Sequence, residues 1–471
     1  MSQPTSLERT RHMSTDGKVD RRTLLRVALA APAVGALASC AKPVVEKSAP
    51  APTLGAKVDG SKPLEFFNFD GGYGKKWTEM PLDLYRKEFP QAAVKLTSGQ
   101  ELKQQLQPRF IQGTPPDLIE NVGLDGASLV AKKQLYDLGP LLEMESFDQP
   151  GVKVKDTLLP GVAEAGRYDG VKYEMPYVFG VGGIWYSQPL LDKHGWTYPK
   201  HWDEMIALCA EIKKAGLAPW TYQGKFPGYL ANPLLMTAYK AAGPELKKKI
   251  DNLEPNAWRD PAIIQAAEGY QELASKGYLL EGTQALSHTQ SQTYWAQGKA
   301  VFIPCGGWLE NELGTIAPKD FGMTMAPVPG WSKDDKAPYE TVTGGPGGAL
   351  IVPAQAKNPL GGLELLRIML SKQCMQNFAK LTNSPVVVKG GTDGVPMSSA
   401  AASMQKAVNE AGTNMFSDWQ FRLWYQKLLT NFESSVGVLM SGDQTPDEWS
   451  KQMQKYADET AKDPSIKKYH V

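Results

Sequence analysis

The chain of 471 residues has little net charge, few cysteines and few histidines. Its 51 Lys/Arg nearly cancel 50 Asp/Glu, leaving +1. Residues 1–39 carry six basic and three acidic residues, so the remainder balances 45 against 47. No basic field is left to attract phosphate backbones, and nucleic-acid binding is set aside. Four cysteines, Cys40, Cys209, Cys305 and Cys374, are too scattered for a disulfide framework. Buried thiols are expected for the last three, with one bridge among them as the alternative. The five histidines are dispersed, which argues against a dedicated metal site, and no cofactor is expected. The chain has no G-x-S-x-G elbow, no H-E-x-x-H and no G-x-x-x-x-G-K-[ST]. Internal repeats, expected of a structural or adhesive array, are missing too.

What is present is richer in rings than in charge: 12 Trp and 18 Tyr, with 42% hydrophobic and 21% charged residues overall. That stock suits a soluble protein that binds flat, part-apolar ligands. The length allows two domains. Residues 20–41, DRRTLLRVALAAPAVGALASCA, form a leader. Its apolar run, Val27 to Ala38, is about 12 residues, too short to span a hydrocarbon core of ~30 Å as a helix. A basic start, a short apolar stretch and small residues before a cleavage point make residues 1–39 a signal peptide. Arg21-Arg22 resemble the twin-arginine export signal, with Asp20 and Leu24 departing from its usual residues. Leu37 to Cys40 resembles a bacterial lipobox, which implies that Cys40 becomes the first residue and carries lipid on its sulfur. A plain secretory signal is the alternative, and Met13 is a second candidate start. Residues 40–62, rich in Pro, Ala and Lys, read as a flexible tether.

From Pro63 the chain alternates strand and helix patterns. LEFFNFD (64–70), AAVKLTSG (92–99) and DLIENV (117–122) read as strands, and residues 76–90 as a helix against which Pro81 is the objection. Asp169-Gly170 reads as a two-residue turn between short strands. Residues 201–216 and 261–277 are amphipathic helices closed by glycine, and residues 360–381 one helix. The rhythm implies an α/β fold with a mostly parallel sheet. In such sheets ligands gather beyond the carboxyl ends of the strands. Asp70, Asn121 and Trp308 each closely follow a predicted strand.

Five stretches in order then carry a resemblance: FNFDGGY, GTPPDLIE, YDGVKYEMPYVFGVGGIWYSQPLLDKHG with HWDEM, YWAQGKAVFIPCGGW, and GGPGGALIVPAQAKNPLGGLELLRIMLSKQ. They resemble the substrate-binding lipoproteins of bacterial carbohydrate ABC importers, the extracellular solute-binding family that includes maltodextrin-binding proteins. More narrowly, with the leader, they resemble actinobacterial N-acetylglucosamine/diacetylchitobiose-binding proteins. The resemblance implies a periplasmic-binding-protein-like α/β fold of two discontinuous lobes with a hinge and an interlobe ligand cleft. Lobe one would be 60–180 plus 327–385, and lobe two 181–326 plus 386–471, with crossings near 178–183, 326 and 385. It implies a monomer that binds a mono- or oligosaccharide on the extracytoplasmic face of the membrane, held by its lipid anchor. ATP hydrolysis and translocation would then fall to a separate ATPase and permease.

Sugars require hydroxyl partners, which carboxylates and amides supply, and flat apolar faces, which aromatic rings supply. Trp308 matches the family's Gly-x-Trp block, where the ring stacks on sugar; a core position is the alternative. Asp70 and Asn121 are candidates for hydroxyls, or ordinary turn residues. Asp125 is a candidate or an exposed loop acid. Tyr229 and Asn232 fall where the maltodextrin branch has an aromatic contact. Trp419, Trp424 and Tyr425 lie where a late helix brings one ring into the cleft, and which one enters is left open. Trp185, Tyr186 and Trp295 are expected in the core, and Glu310 either caps a helix or touches ligand. A secreted glycoside hydrolase, drawing on Asp70, Glu120, Asp125 and Glu310, is the rival reading; another oligosaccharide (xylo-, cello- or malto-) is the rival ligand.

Overall fold

The structure, a computed structural model, describes residues 58–314 and 316–471. The leader, Cys40 and its lipobox lie outside the described residues. Thirteen strands follow in chain order among the described residues. They are β1 (Leu64–Phe69), β2 (Val94–Gly99), β3 (Leu118–Glu120), the pair β4 (Glu145–Ser146) and β5 (Gln149–Lys153), the pair β6 (Arg167–Tyr168) and β7 (Val171–Lys172), β8 (Val178–Ser187), β9 (Ala218–Trp220), β10 (Ala300–Gly306), β11 (Met323–Ala326), β12 (Thr343–Gly347) and β13 (Leu350–Ile351). Two separate sheets, each covered by helices, make two α/β lobes.

The first sheet has the order β13-β3-β1-β2. β1 runs parallel to β2 and to β3, so their carboxyl ends share an edge. Its core joins Leu64, Phe66, Leu118 and Leu350 to Leu365, Phe378 and Val387. The helix Glu79–Glu88 accepts Pro81 because the residue sits in the first turn, where its missing N–H has no intrahelical partner to lose. The stretch expected as one helix, 360–381, is two, Pro359–Met369 and Lys372–Thr382. Ser371 is extended and its hydroxyl accepts from Cys374 N at 3.4 Å, an N-cap that starts a new helix.

The second sheet departs from the mostly parallel arrangement expected. β8 runs antiparallel to β10, β11 and β12, and only β9 with β10 is parallel. Ten residues long, β8 pairs β12 along its first half and β11 along its second. Around this sheet pack Trp202, Trp220, Trp258, Phe302, Phe432 and Trp449. Trp185 and Trp295 are fully buried in a neighbouring cluster with Ile303, Leu309 and Met404. Cys209, Cys305 and Cys374 are free and buried.

Packing also moves two of the expected lobe boundaries. Residues 327–342, assigned from sequence to lobe one, pack on lobe two. Buried Lys240 needs acceptors and donates at 2.6 Å to the carbonyls of Val328 and Tyr339, while Thr237 donates at 3.2 Å to Pro329 O. Val328 joins the second core and Leu350 the first, so the chain changes lobe along β12 and not at 326. Val386–Val388 remain in the first core, and Ala400 and Met404 belong to lobe two, so the last change falls beyond 388 and not near 385.

Candidate functional site

β10 is buried along its whole length and ends at Gly306. Gly307 N donates to Val181 O at 2.8 Å, which fixes the turn against β8. A Cβ on Gly306 would lie 2.2 Å from the Trp308 ring, and one on Gly307 would lie 2.7 Å from Met404 Sδ. The two glycines thus let the indole fold back over the strand end. Trp308 is half-buried and rests on the cluster that holds Trp185, Cys305 and Met404. Tyr229, at the start of helix Gly228–Ala242, meets it edge-on, with ring centroids 6.3 Å apart and an angle of 75°. Burial raises the pKa of the Tyr229 hydroxyl.

Lobe one faces this ring with the turn that follows β1. A Cβ on Gly72 would stand 2.9 Å from Trp308 Cβ, and Asn311 Nδ2 donates to Gly72 O. Asp70 opens the turn, half-buried, and makes no side-chain hydrogen bond among the described residues. Tyr73 closes it, packing on Phe378 at 5.2 Å and Tyr177 at 6.2 Å. Burial, then Glu120 and Glu312, raise the Tyr73 pKa. Trp308 and Tyr229 are therefore brought to one place, and the lobe one turn that Asp70 opens abuts them through Gly72.

Three carboxyls back this place. Glu120, the last residue of β3, accepts from Phe69 N at 3.0 Å and from the Tyr177 hydroxyl; burial pushes it up to about 7. Glu312 accepts from Gln292 Nε2 at 2.6 Å and stands 3.9 Å from His288, with burial raising its pKa. Glu310 accepts from Ser398 Oγ at 2.7 Å, which ties it to the helix Ser399–Ala411 rather than to the cap of its own. Glu312 was not singled out in the sequence, though it follows Trp308 by four residues, one helical turn.

The other candidates lie apart from this centre. Asn121 Oδ1 accepts from Leu124 N at 3.1 Å and Asp125 Oδ1 from Ser128 N at 2.9 Å, so both hold the loop that starts helix Gly126–Ala131. Asn232 is exposed and accepts from Arg422 at 2.6 Å. Trp419 is only 3% exposed and packs on Phe416 at 5.3 Å and Tyr239 at 6.3 Å, so of the late rings it is a core residue. Tyr425 is buried as well. Trp424 is half-buried and stacks on Tyr469 at 5.3 Å.

Comparison with known proteins follows the same lines. Residues 71–375 match the family described as bacterial extracellular solute-binding protein. The chain is 33% identical over 471 residues to the diacetylchitobiose binding protein NgcE of Streptomyces coelicolor, covering 97% of this chain and 99% of that one. A solved chitin oligosaccharide binding protein superposes with a TM-score of 0.69 at 21% identity, over 84% of this chain and 98% of its own. The raffinose complex of RafE superposes with a TM-score of 0.69 at 20% identity, over 84% and 99%.

Proposed function

The chain belongs to the bacterial extracellular solute-binding proteins, a family of binding proteins and not enzymes, and from that premise we propose that it captures diacetylchitobiose or a related N-acetylglucosamine oligosaccharide for a carbohydrate ABC importer. The observation that carries the sugar is the 33% identity to a diacetylchitobiose binding protein along nearly the whole of both chains. The place where the lobes meet supports it. Trp308 offers a half-buried face for the C–H surface of a pyranose, Tyr229 braces it, and the unengaged Asp70 carboxylate accepts hydroxyls. Asn121 and Asp125 hold the loop before helix Gly126–Ala131 and Trp424 stacks on Tyr469, so in this reading all three are outer positions away from the central ring. A ligand touching both lobes stabilises the arrangement in which they abut. Loaded protein hands the sugar to a separate permease powered by its own ATPase, the chain having no P-loop. Cys40 carries the lipid that keeps the protein at the outer face of the membrane.

Calorimetric titration with diacetylchitobiose, N-acetylglucosamine, cellobiose, xylobiose and maltose tests the assignment. The N-acetylated pair should bind most tightly and raise the melting temperature without products, because a ligand held only by the folded state stabilises it. Turnover would defeat the binding role. Heat from maltose or xylobiose alone would move the protein to another sugar within the family. Mass spectrometry of the mature protein tests Cys40; an unmodified Cys40 behind residues 30–39 would remove the anchor.

A further inference from the structure

We propose that the segment Asp463–Val471 is a strap that runs from lobe two to lobe one and holds the lobes in this abutting arrangement. The segment leaves the helix Pro446–Lys462 and is pinned to lobe two at three points. The buried Tyr425 hydroxyl accepts from Tyr469 N at 3.0 Å and donates to Tyr469 O at 3.3 Å. The rings of Trp424 and Tyr469 stack at 5.3 Å and 27°. Asn252 Oδ1 accepts from Val471 N at 3.0 Å.

From that footing the segment reaches the β6–β7 hairpin of lobe one. The Lys467 ammonium pairs with the Asp169 carboxylate, and Tyr469 meets Tyr168 edge-on at 6.4 Å and 72°. Asp169 stands at the hairpin tip with φ 50, its neighbour Gly170 at φ 80, so the turn points its carboxylate outward. The hairpin itself is fixed in lobe one: Lys172 O accepts from Leu138 N at 2.7 Å, and buried Lys172 Nζ donates to Val162 O at 2.8 Å.

The covalent crossings between the lobes persist when the lobes rotate. The strap's contacts with the hairpin do not, since they require the two lobes at this separation. Contacts made in one arrangement and lost in the other bias the equilibrium toward the first. Both side chains of the Lys467–Asp169 pair are about half exposed, at 53% and 57%, so salt screens the pair and its share is modest. Tyr469 also covers one face of Trp424, which leaves that ring only its remaining surface for a ligand.

The strap does not depend on which sugar is captured, and its test has an arm without sugar. Lys467→Glu, Asp169→Lys, the double swap and a truncation after Asp463 are compared in the full chain. Small-angle scattering without ligand should show a larger radius of gyration for each single reversal and for the truncation, and recovery in the double swap. With diacetylchitobiose bound, each single reversal should speed dissociation about threefold at low salt, the truncation more, and the swap should restore the parent rate. An unchanged radius in every variant overturns the strap even if no sugar binds. Slower dissociation after truncation also overturns it, because the segment would then obstruct the cleft. If the truncated chain melts early, the exposed charge swap decides alone.

Discussion

Where lobe one ends β1 and β3 in Asp70 and Glu120, lobe two ends β10 in two glycines and Trp308. The difference follows from strand direction. β1 and β3 are parallel neighbours, so their carboxyl ends and the acids that follow reach the same edge. In lobe two the neighbours of β10 are β8, antiparallel, and β9, parallel but short. One strand end must then serve alone, and it does so with a single large ring braced by Tyr229. Polar partners on one lobe and an aromatic face on the other suit a sugar, which needs both at once.

The largest effect should come from the aromatic side. Trp308→Ala should weaken diacetylchitobiose binding by about 2–4 kcal/mol, the range of an aromatic hot spot, while the melting temperature changes little. Calorimetry and a thermal melt on the same sample check both halves. Loss of the lobe two fold on this substitution would make Trp308 a core residue and erase the contrast between the lobes.

Next comes the buried acid behind lobe one. Glu120 is pushed up to about 7 by burial, against an unfolded value of about 4.3. Between these pH values the unfolded chain releases the proton and the folded chain keeps it. Stability therefore falls as pH rises through that window and levels off above it. The loss is on the order of 3 kcal/mol. Glu174, also raised to about 7 by burial and bonded to Tyr168, adds a slope of the same sign. Urea midpoints across pH 4.5–7.5 should show Glu120→Gln with a shallower decline than the parent and Glu120→Gln/Glu174→Gln with the flattest. An unaltered slope would mean that Glu120 is not the buried acid described.

Asp70→Ala should cost about 2 kcal/mol of binding, as for a hydrogen bond to a charged group. Because its carboxylate holds nothing within the protein, the melting temperature should stay put. If Asp70→Ala weakens binding more than Trp308→Ala, the polar lobe dominates and the order of the comparison reverses.

Much of this is legible in the amino-acid sequence. β10 with its glycines and Trp308 is a local pattern, an apolar run stopped by residues without side chains, and local patterns survive folding. The Ser371 break was readable too, since Ser is a preferred cap, but a continuous apolar stripe hid it. The antiparallel pairing of β8 was not legible. Its glycines allow close approach from either side, and strand direction depends on partners more than a hundred residues away, such as Ile303 opposite Trp185 and Cys305 opposite Gly183. The late rings stayed undecided in the sequence for a related reason. Trp419 lies just before a five-residue helix in extended backbone, φ −80 and ψ 128, so helical periodicity does not place it. The Lys467–Asp169 contact joins residues 298 apart, with no motif at either end.

The smallest effect expected at the two facing strand ends bears on whether the two lobes act as one site. Asn311 lies one turn beyond Trp308 on lobe two, and its Nδ2 donates to Gly72 O on lobe one. The bond joins the polar edge to the aromatic one without touching the chemistry of either. A neutral hydrogen bond contributes about 1 kcal/mol, so Asn311→Ala should raise the dissociation rate of the bound sugar about fivefold. The association rate should hardly change, since the bond forms only after the lobes have met. Stopped-flow release measured beside Trp308→Ala and Asp70→Ala separates the cases. A slower association instead would mean that Asn311 shapes the open cleft, and the two lobes would then recognise the sugar independently rather than by closing on it together.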